Sequence, residues 1–221
     1  MSLPHRDADA VGFVLAGGES SRMGTDKPLV EFAGQPLIVH ALSILRTAGL
    51  GAAIAGARSE LGVYAPVVAD RKPGQGPLAG ICAALASSTA QWAVFVSVDL
   101  PLLPASLVDY LVAHARVTGS VVTVASVNGF PQTFPVVIHR DAQPVLESEL
   151  EAGRWGCYSA YVAAASRQAQ PIGILPVEIL AQTGHVSHPD DLPPTRWFLN
   201  LNSPRDLARA AAHRAASHRV S

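Results

Sequence analysis

The stretch VGFVLAGGESSRMGTDK, residues 11–27, joins an unbroken apolar run to a glycine-rich segment that holds Arg22 and Lys27. VGFVLA (Val11–Ala16) reads as a short strand. It is apolar throughout rather than alternating, so both of its faces should be buried, as in a parallel sheet covered by helices. Gly17 and Gly18 then remove side chains where the main chain must approach a ligand. Successive N–H groups in such a loop form an anion-binding concavity. Arg22 and Lys27, with Gly24 between them, add two positive charges. Many short donors plus mobile cations suit a triphosphate. Pro28 follows Lys27, where the familiar phosphate loop has Ser or Thr for a metal ion. A metal ligand must therefore come from elsewhere.

Working outward, apolar runs alternate with helical patterns. PLIVHALSILRTAG (Pro36–Gly49) has proline at its start and glycine at its end, both helix punctuation. AAIAG (Ala52–Gly56) reads as a second strand and APVVAD (Ala65–Asp70) as a third, ending on an acid. GPLAGICAALASS (Gly76–Ser88) opens a helix at glycine-proline. WAVFVSVD (Trp92–Asp99) is a fourth strand, again ending on an acid, and PASLVDYLVAHAR (Pro104–Arg116) is a helix. This order predicts an α/β fold: a Rossmann-like, doubly wound, mostly parallel sheet with helices on both faces. Ligands bind such sheets at the carboxyl ends of the strands. The glycine loop, Asp70 and Asp99 all fall on that edge.

The second half is less regular. SVVTVAS (Ser120–Ser126) and TFPVVIH (Thr133–His139) alternate like strands, and Pro135 marks the latter as an edge strand or a bulge. DAQPVLESELEAG (Asp141–Gly153) and WGCYSAYVAAAS (Trp155–Ser166) read as helices, SHPDDLPP (Ser187–Pro194) as a loop, and WFLNLN (Trp197–Asn202) as a short strand. SPRDLARAAAHRAA (Ser203–Ala216) reads as a helix capped by serine. No repeat or low-complexity linker appears. One domain is expected over residues 1–221, with 1–10 flexible.

With 49% apolar and 15% charged residues, the chain suits a well-buried core. A net charge of -1 gives no general attraction to nucleic acid or to an anionic membrane, so any anion site must be local. The first ten residues have no signal-peptide core and no membrane span is expected. Cys82 and Cys157 form no disulfide framework or zinc spacing and read as inert thiols. A cytoplasmic location is expected.

Asp99 follows an apolar strand directly, where a carboxylate needs a partner. Mg²⁺ is one, because it binds through one or two carboxylates plus substrate phosphates; a structural turn is the other reading. Asp70 could accept from a base or ribose, or pair with Arg71 or Lys72. Asn200 and Asn202 alternate, so their amides face one way; they could bind a ligand or simply cap a helix. His185 and His188 sit in a proline-bounded loop that reads as solvated. Ser20 and Ser21 have no nearby base.

These residues carry a resemblance. LAGGESSRMGTDK (Leu15–Lys27) is similar to the signature loop of nucleotidyltransferases with a glycosyltransferase-A-like fold, and most resembles the molybdenum cofactor guanylyltransferase family. GPLAG (Gly76–Gly80), DLP (Asp99–Pro101) and NLNSPRDL (Asn200–Leu207) continue it in order. The resemblance implies transfer of GMP from GTP to the terminal phosphate of molybdopterin, with Mg²⁺ and release of pyrophosphate. It implies nucleotide contacts from Leu15, Ala16, Gly17, Gly18, Lys27, Asp70 and Asp99. Arg22, Lys27 and Asp99 would act in catalysis, Asp99 would bind the metal, and Asn200 and Asn202 would lie toward the pterin. Cofactor-handling proteins or molybdoenzyme chaperones are implied as partners. IAGARSE (Ile54–Glu60) departs from the family, some of whose members carry asparagine there. The rivals are a molybdopterin cytidylyltransferase, which favours Leu-Ala-Ala-Gly in the loop, another transferase of this fold, and a non-catalytic nucleotide-binding protein.

Overall fold

The computed structural model describes residues 9–17, 26–56, 58–70, 74–202 and 206. Gly18, Arg22 and Gly24, the Arg71–Lys72 pair and all but Asp206 of the expected helix from Ser203 lie outside these residues, as does most of the segment 1–10. Residue 10 itself is already in the first strand, β1 (Ala10–Leu15).

After β1 come the small antiparallel pair β2 (Glu31–Phe32) and β3 (Gln35–Pro36), then α1 (Leu37–Thr47) and β4 (Gly51–Ala55). There follow β5 (Val67–Val68), α2 (Gly76–Ser87), β6 (Trp92–Ser97) and α3 (Ala105–Thr118). The remainder is β7 (Val122–Val127), β8 (Phe130–His139), α4 (Gln143–Glu151), α5 (Cys157–Arg167), β9 (Gly173–Pro176), α6 (Val177–Gln182) and α7 (Pro194–Trp197). Seven strands form one sheet in the order β5-β4-β1-β6-β8-β7-β9. β5, β4, β1 and β6 pair in parallel, whereas β8 runs antiparallel to both β6 and β7. β9 pairs in parallel with β7. The sheet is thus mostly parallel, as the strand–helix alternation predicts.

The side-chain period of two sorts β1 between two cores. Ala10 and Val14 pack with α1, α3, α6 and Trp197 on one face. Val11, Phe13 and Leu15 pack with α2, α4 and α5 on the other. That double burial explains why β1 and β6 read as apolar runs. α3 ends at Gly119, whose left-handed φ of 66° lets its amide close on the Ala115 carbonyl at 2.9 Å.

Pro135 lies in a bulge, not at an edge. β8 is flanked on both sides, but pairing with β6 stops at Val136 and the β7 register shifts between Val124 and Ser126. Proline, which has no donor, thus sits where the ladder is interrupted.

The strand expected at Trp197–Asn202 is absent. Pro193–Pro194 starts the short helix α7, and the buried Trp197 indole donates to the Leu192 carbonyl at 2.7 Å. Its alternation survives: Leu201 is buried between exposed Asn200 and Asn202. The loop before it is not wholly solvated either. His188 is buried, with Nε2 3.1 Å from the Leu102 carbonyl and Nδ1 accepting the Asp190 amide at 3.0 Å. β2, β3, β9 and α6 were not expected; the strands among them are only two to four residues long. Among the described residues no helix is long and apolar enough to cross a membrane.

Candidate active site

β1 and β6 lie side by side with Leu15 opposite Ser97, so the glycine loop and Asp99 leave the sheet together. Leu15 and Ala16 are buried, and only their main chain can meet a ligand. Part of that main chain is already bonded: the Leu15 carbonyl accepts from Val98 at 3.3 Å and the Ala16 amide donates to Ala55 at 3.2 Å. Gly17 is exposed beside them. A Cβ on Gly56 would lie 3.0 Å from the Gly17 nitrogen, and Gly56 has a φ of 148°. Glycine there lets two backbones touch beneath the loop. Gly80, in the GPLAG block, has a packing reason: a Cβ there would meet Leu15 at 3.3 Å.

The loop re-enters the described structure at Asp26, followed by a short turn, Lys27–Leu29. Lys27 Nζ donates to Asp99 Oδ2 at 2.7 Å, and the two side chains are only 22% and 15% exposed. It also donates to Asn202 Oδ1 in a short contact. Ser97 Oγ donates to Asp99 Oδ1 at 2.5 Å, and the Asp99 carbonyl accepts the Leu201 amide at 3.0 Å. Residues from three distant parts of the chain thus converge on one ammonium group. A partly buried carboxylate here is matched by a positive charge and a hydroxyl, as partial desolvation requires.

Asp70 lies just past β5 and lines a cleft of about 250 Å³ with residues of α2 and α4, including Glu147 and Glu151. It belongs to the same edge as Asp99 but to a different grouping. Asn200 is exposed beside the Lys27 cluster, of which Asn202 is a member. Ser97 and Arg58 went unselected in the sequence. Ser97 could have been noticed two residues before Asp99, on the same side of an extended chain. Arg58 carries no local signal. Its Nη2 contacts Asp26 Oδ2 and its Nε donates to Glu60 Oε1 at 2.5 Å. The hydrogen bond that Arg58 donates to Asp26, then the one it donates to Glu60, raises the Arg58 pKa above its ordinary value.

Among the described residues no group of three His, Cys, Asp or Glu could hold a metal alone. The chemistry of the Lys27 cluster nevertheless fits a hard cation. Asp99 Oδ2 and Asn202 Oδ1 both turn toward one positive charge. A magnesium site needs few protein oxygens when substrate phosphates supply the rest. The two cysteines are buried and unbridged. Burial pushes the Cys157 thiol up to about 11, which leaves it a poor nucleophile.

A mostly parallel sheet with a glycine-rich first loop, a lysine and a strand-end carboxylate on one edge is the layout of an α/β nucleotidyltransferase. Residues 12–173 match the MobA-like NTP transferase domain, and the chain belongs to that family. The molybdenum cofactor guanylyltransferase of Vibrio cholerae serotype O1 is 31% identical over 209 residues, 93% of this chain and 93% of the relative. That of Vibrio atlanticus is 37% identical over 144 residues, 63% of this chain and 74% of the relative. The crystal structure of molybdopterin-guanine dinucleotide biosynthesis protein A from Archaeoglobus fulgidus shares the fold, with a TM-score of 0.73 at 22% identity over 93% of this chain and 98% of that one.

Proposed function

We propose that this chain transfers GMP from GTP to the terminal phosphate of molybdopterin, forming the guanine dinucleotide cofactor and releasing pyrophosphate. An oxygen of the acceptor phosphate attacks the α-phosphorus of GTP. A new P–O bond forms as the bond from the α-phosphorus to the bridging oxygen breaks, and that oxygen leaves on pyrophosphate with the electron pair. The attacking phosphate is already anionic, so the step needs no protein nucleophile or strong base. What it needs is alignment and neutralised charge.

The convergence of Lys27, Asp99 and Asn202 carries this reading. Lys27 and Arg22 would neutralise the triphosphate and the departing pyrophosphate. Leu15, Ala16, Gly17 and Gly18 would hold the nucleotide by main-chain contacts, and Asp70 would lie by the nucleoside. Asp99 would hold Mg²⁺, with Asn202 Oδ1 the neighbouring protein oxygen; the bound ion supplies positive charge to phosphate oxygens. Ser97 keeps the Asp99 carboxylate oriented meanwhile. Asn200 and Asn202 would face the pterin side. A cytoplasmic location and contact with cofactor-handling proteins or molybdoenzyme chaperones follow from the same reading.

The deciding experiment compares GTP, CTP and ATP with Mg²⁺ and molybdopterin, reading pyrophosphate. GTP should be preferred. A preference for CTP would overturn guanylyl transfer in favour of a cytidylyltransferase. Nucleotide binding without any turnover would point to a non-catalytic protein.

A further inference from the structure

The glycine-rich loop is anchored at both ends to one short segment, the last residue of β4 and the three that follow. At its start, Ala16 bonds Ala55 and Gly17 lies against Gly56. At its end, Asp26 is held by Arg58. The Arg58 side chain is 24% exposed and that of Asp26 32%, so the pair is largely shielded from water. Arg58 divides its fork, with Nη2 on Asp26 and Nε on Glu60. Asp26 Oδ1 is buried and accepts no hydrogen bond from the described residues. The Asp26 carboxylate is therefore held through Oδ2. The next residue is Lys27, whose ammonium group lies on Asp99.

Two carboxylates thus lie within reach of the Lys27 backbone turn, and each needs a cation. Arg58 meets the need of Asp26 and leaves Lys27 to Asp99. We propose that Arg58 is a positioning residue for Lys27: it fixes Asp26 and stops that carboxylate from competing with Asp99 for the Lys27 ammonium. The catalytic consequence rests on the nucleotidyl-transfer reading; the placement of Lys27 does not. The guanidinium fork suits the task because one planar group spans two carboxylates, which a lysine point charge does not.

The test uses Arg58→Ala, Arg58→Lys, and Arg58→Ala combined with Asp26→Asn. With GTP and molybdopterin, Arg58→Ala should lower kcat about 10- to 100-fold, since a misplaced charge acts mainly on the transition state, while KM for GTP moves less than about threefold. Arg58→Lys should recover part of the loss. Adding Asp26→Asn to Arg58→Ala should restore kcat toward the parent, because the competing anion is gone. A merely structural pair would instead give a double variant no better than Arg58→Ala. That result, or an unchanged kcat in Arg58→Ala, overturns the proposal. Crystal structures give a substrate-free readout. In Arg58→Ala, Lys27 Nζ should lie more than about 4 Å from Asp99 Oδ2, beyond ion-pair distance, and turn toward Asp26. If it stays on Asp99, the proposal fails even where turnover is normal. A parent protein inactive with GTP and molybdopterin would sink the functional reading, and the crystal structures would still judge Arg58.

Discussion

The two halves of the sheet differ in what their strands deliver. In the half made of β5, β4, β1 and β6, every strand points the same way. Its carboxyl ends therefore bring the glycine loop, Gly56, Asp70 and Asp99 to one edge. In the half made of β8, β7 and β9, β8 is reversed, and the described side-chain hydrogen bonds of Lys27 and Asp99 go to each other, to Asn202 and to Ser97. Those strands chiefly complete the core, with Val122, Val124, Val136 and Ile138 buried against Tyr161 and Ala164. β7 and β9 share the direction of β1 and β6, so the halves differ less in strand direction than in where the candidate site residues lie, which is at the ends of the first-half strands.

That contrast can be broken most sharply at Asp99. Asp99→Ala should lower turnover by at least about 10³-fold with little change in stability, as expected for a group acting on developing charge. Undiminished pyrophosphate release would remove Asp99 from the chemistry. Lys27→Met should follow at about 10²- to 10³-fold, with the same assay as judge. Gly56→Val tests whether the active half also depends on backbone contact. It puts a β-branched side chain at a φ of 148° and 3.0 Å from Gly17 nitrogen. The expected loss is about 2–4 kcal/mol in urea unfolding, typical of strain at a special backbone position.

In the packing half, effects should appear in stability and spare kcat. Cys157 titrates near 11 in the fold against an ordinary 9.0, because burial disfavours the thiolate. Its contribution is full below pH 9, since both states keep the proton there. Between pH 9 and 11 the unfolded chain loses that proton first, so stability should fall. The drop is roughly 2–3 kcal/mol at about 1.4 kcal/mol per unit. Cys157→Ala should lose this pH-dependent drop in denaturation between those limits. The smallest effect belongs to Thr123, whose buried Oγ1 has no hydrogen-bond partner among the described residues. Thr123→Val should be neutral or stabilise by up to about 1 kcal/mol, because it removes an unmatched polar atom. A clear loss in the same unfolding assay would reveal a partner for that hydroxyl.

Legibility follows the same division. β1, β6, α2 and α3 are visible in the sequence because long apolar runs with glycine and proline punctuation carry their own signal. β9 pairs through only four residues, Gly173–Pro176, and depends on β7 for its ladder. Trp197–Asn202 looks like a strand but starts with a helical turn, because the double proline and the Trp197 indole bond act locally. Within the site, Lys27, Asp99 and Asn202 could each be selected from their own surroundings. Arg58 could not, since nothing near it in sequence names Asp26 as its partner.

The chain by itself determined the alternation of buried strands with helices, the shared edge of the strand ends, and the residue types available there for phosphate and metal chemistry. Those are properties of neighbours in sequence: period, punctuation and charge. The tertiary structure alone decided that Lys27 meets Asp99 and Asn202, that Asp26 is claimed by Arg58, and that β8 turns back through the sheet. Pairings of this kind depend on which side chains packing excludes from water together, and no local pattern encodes that.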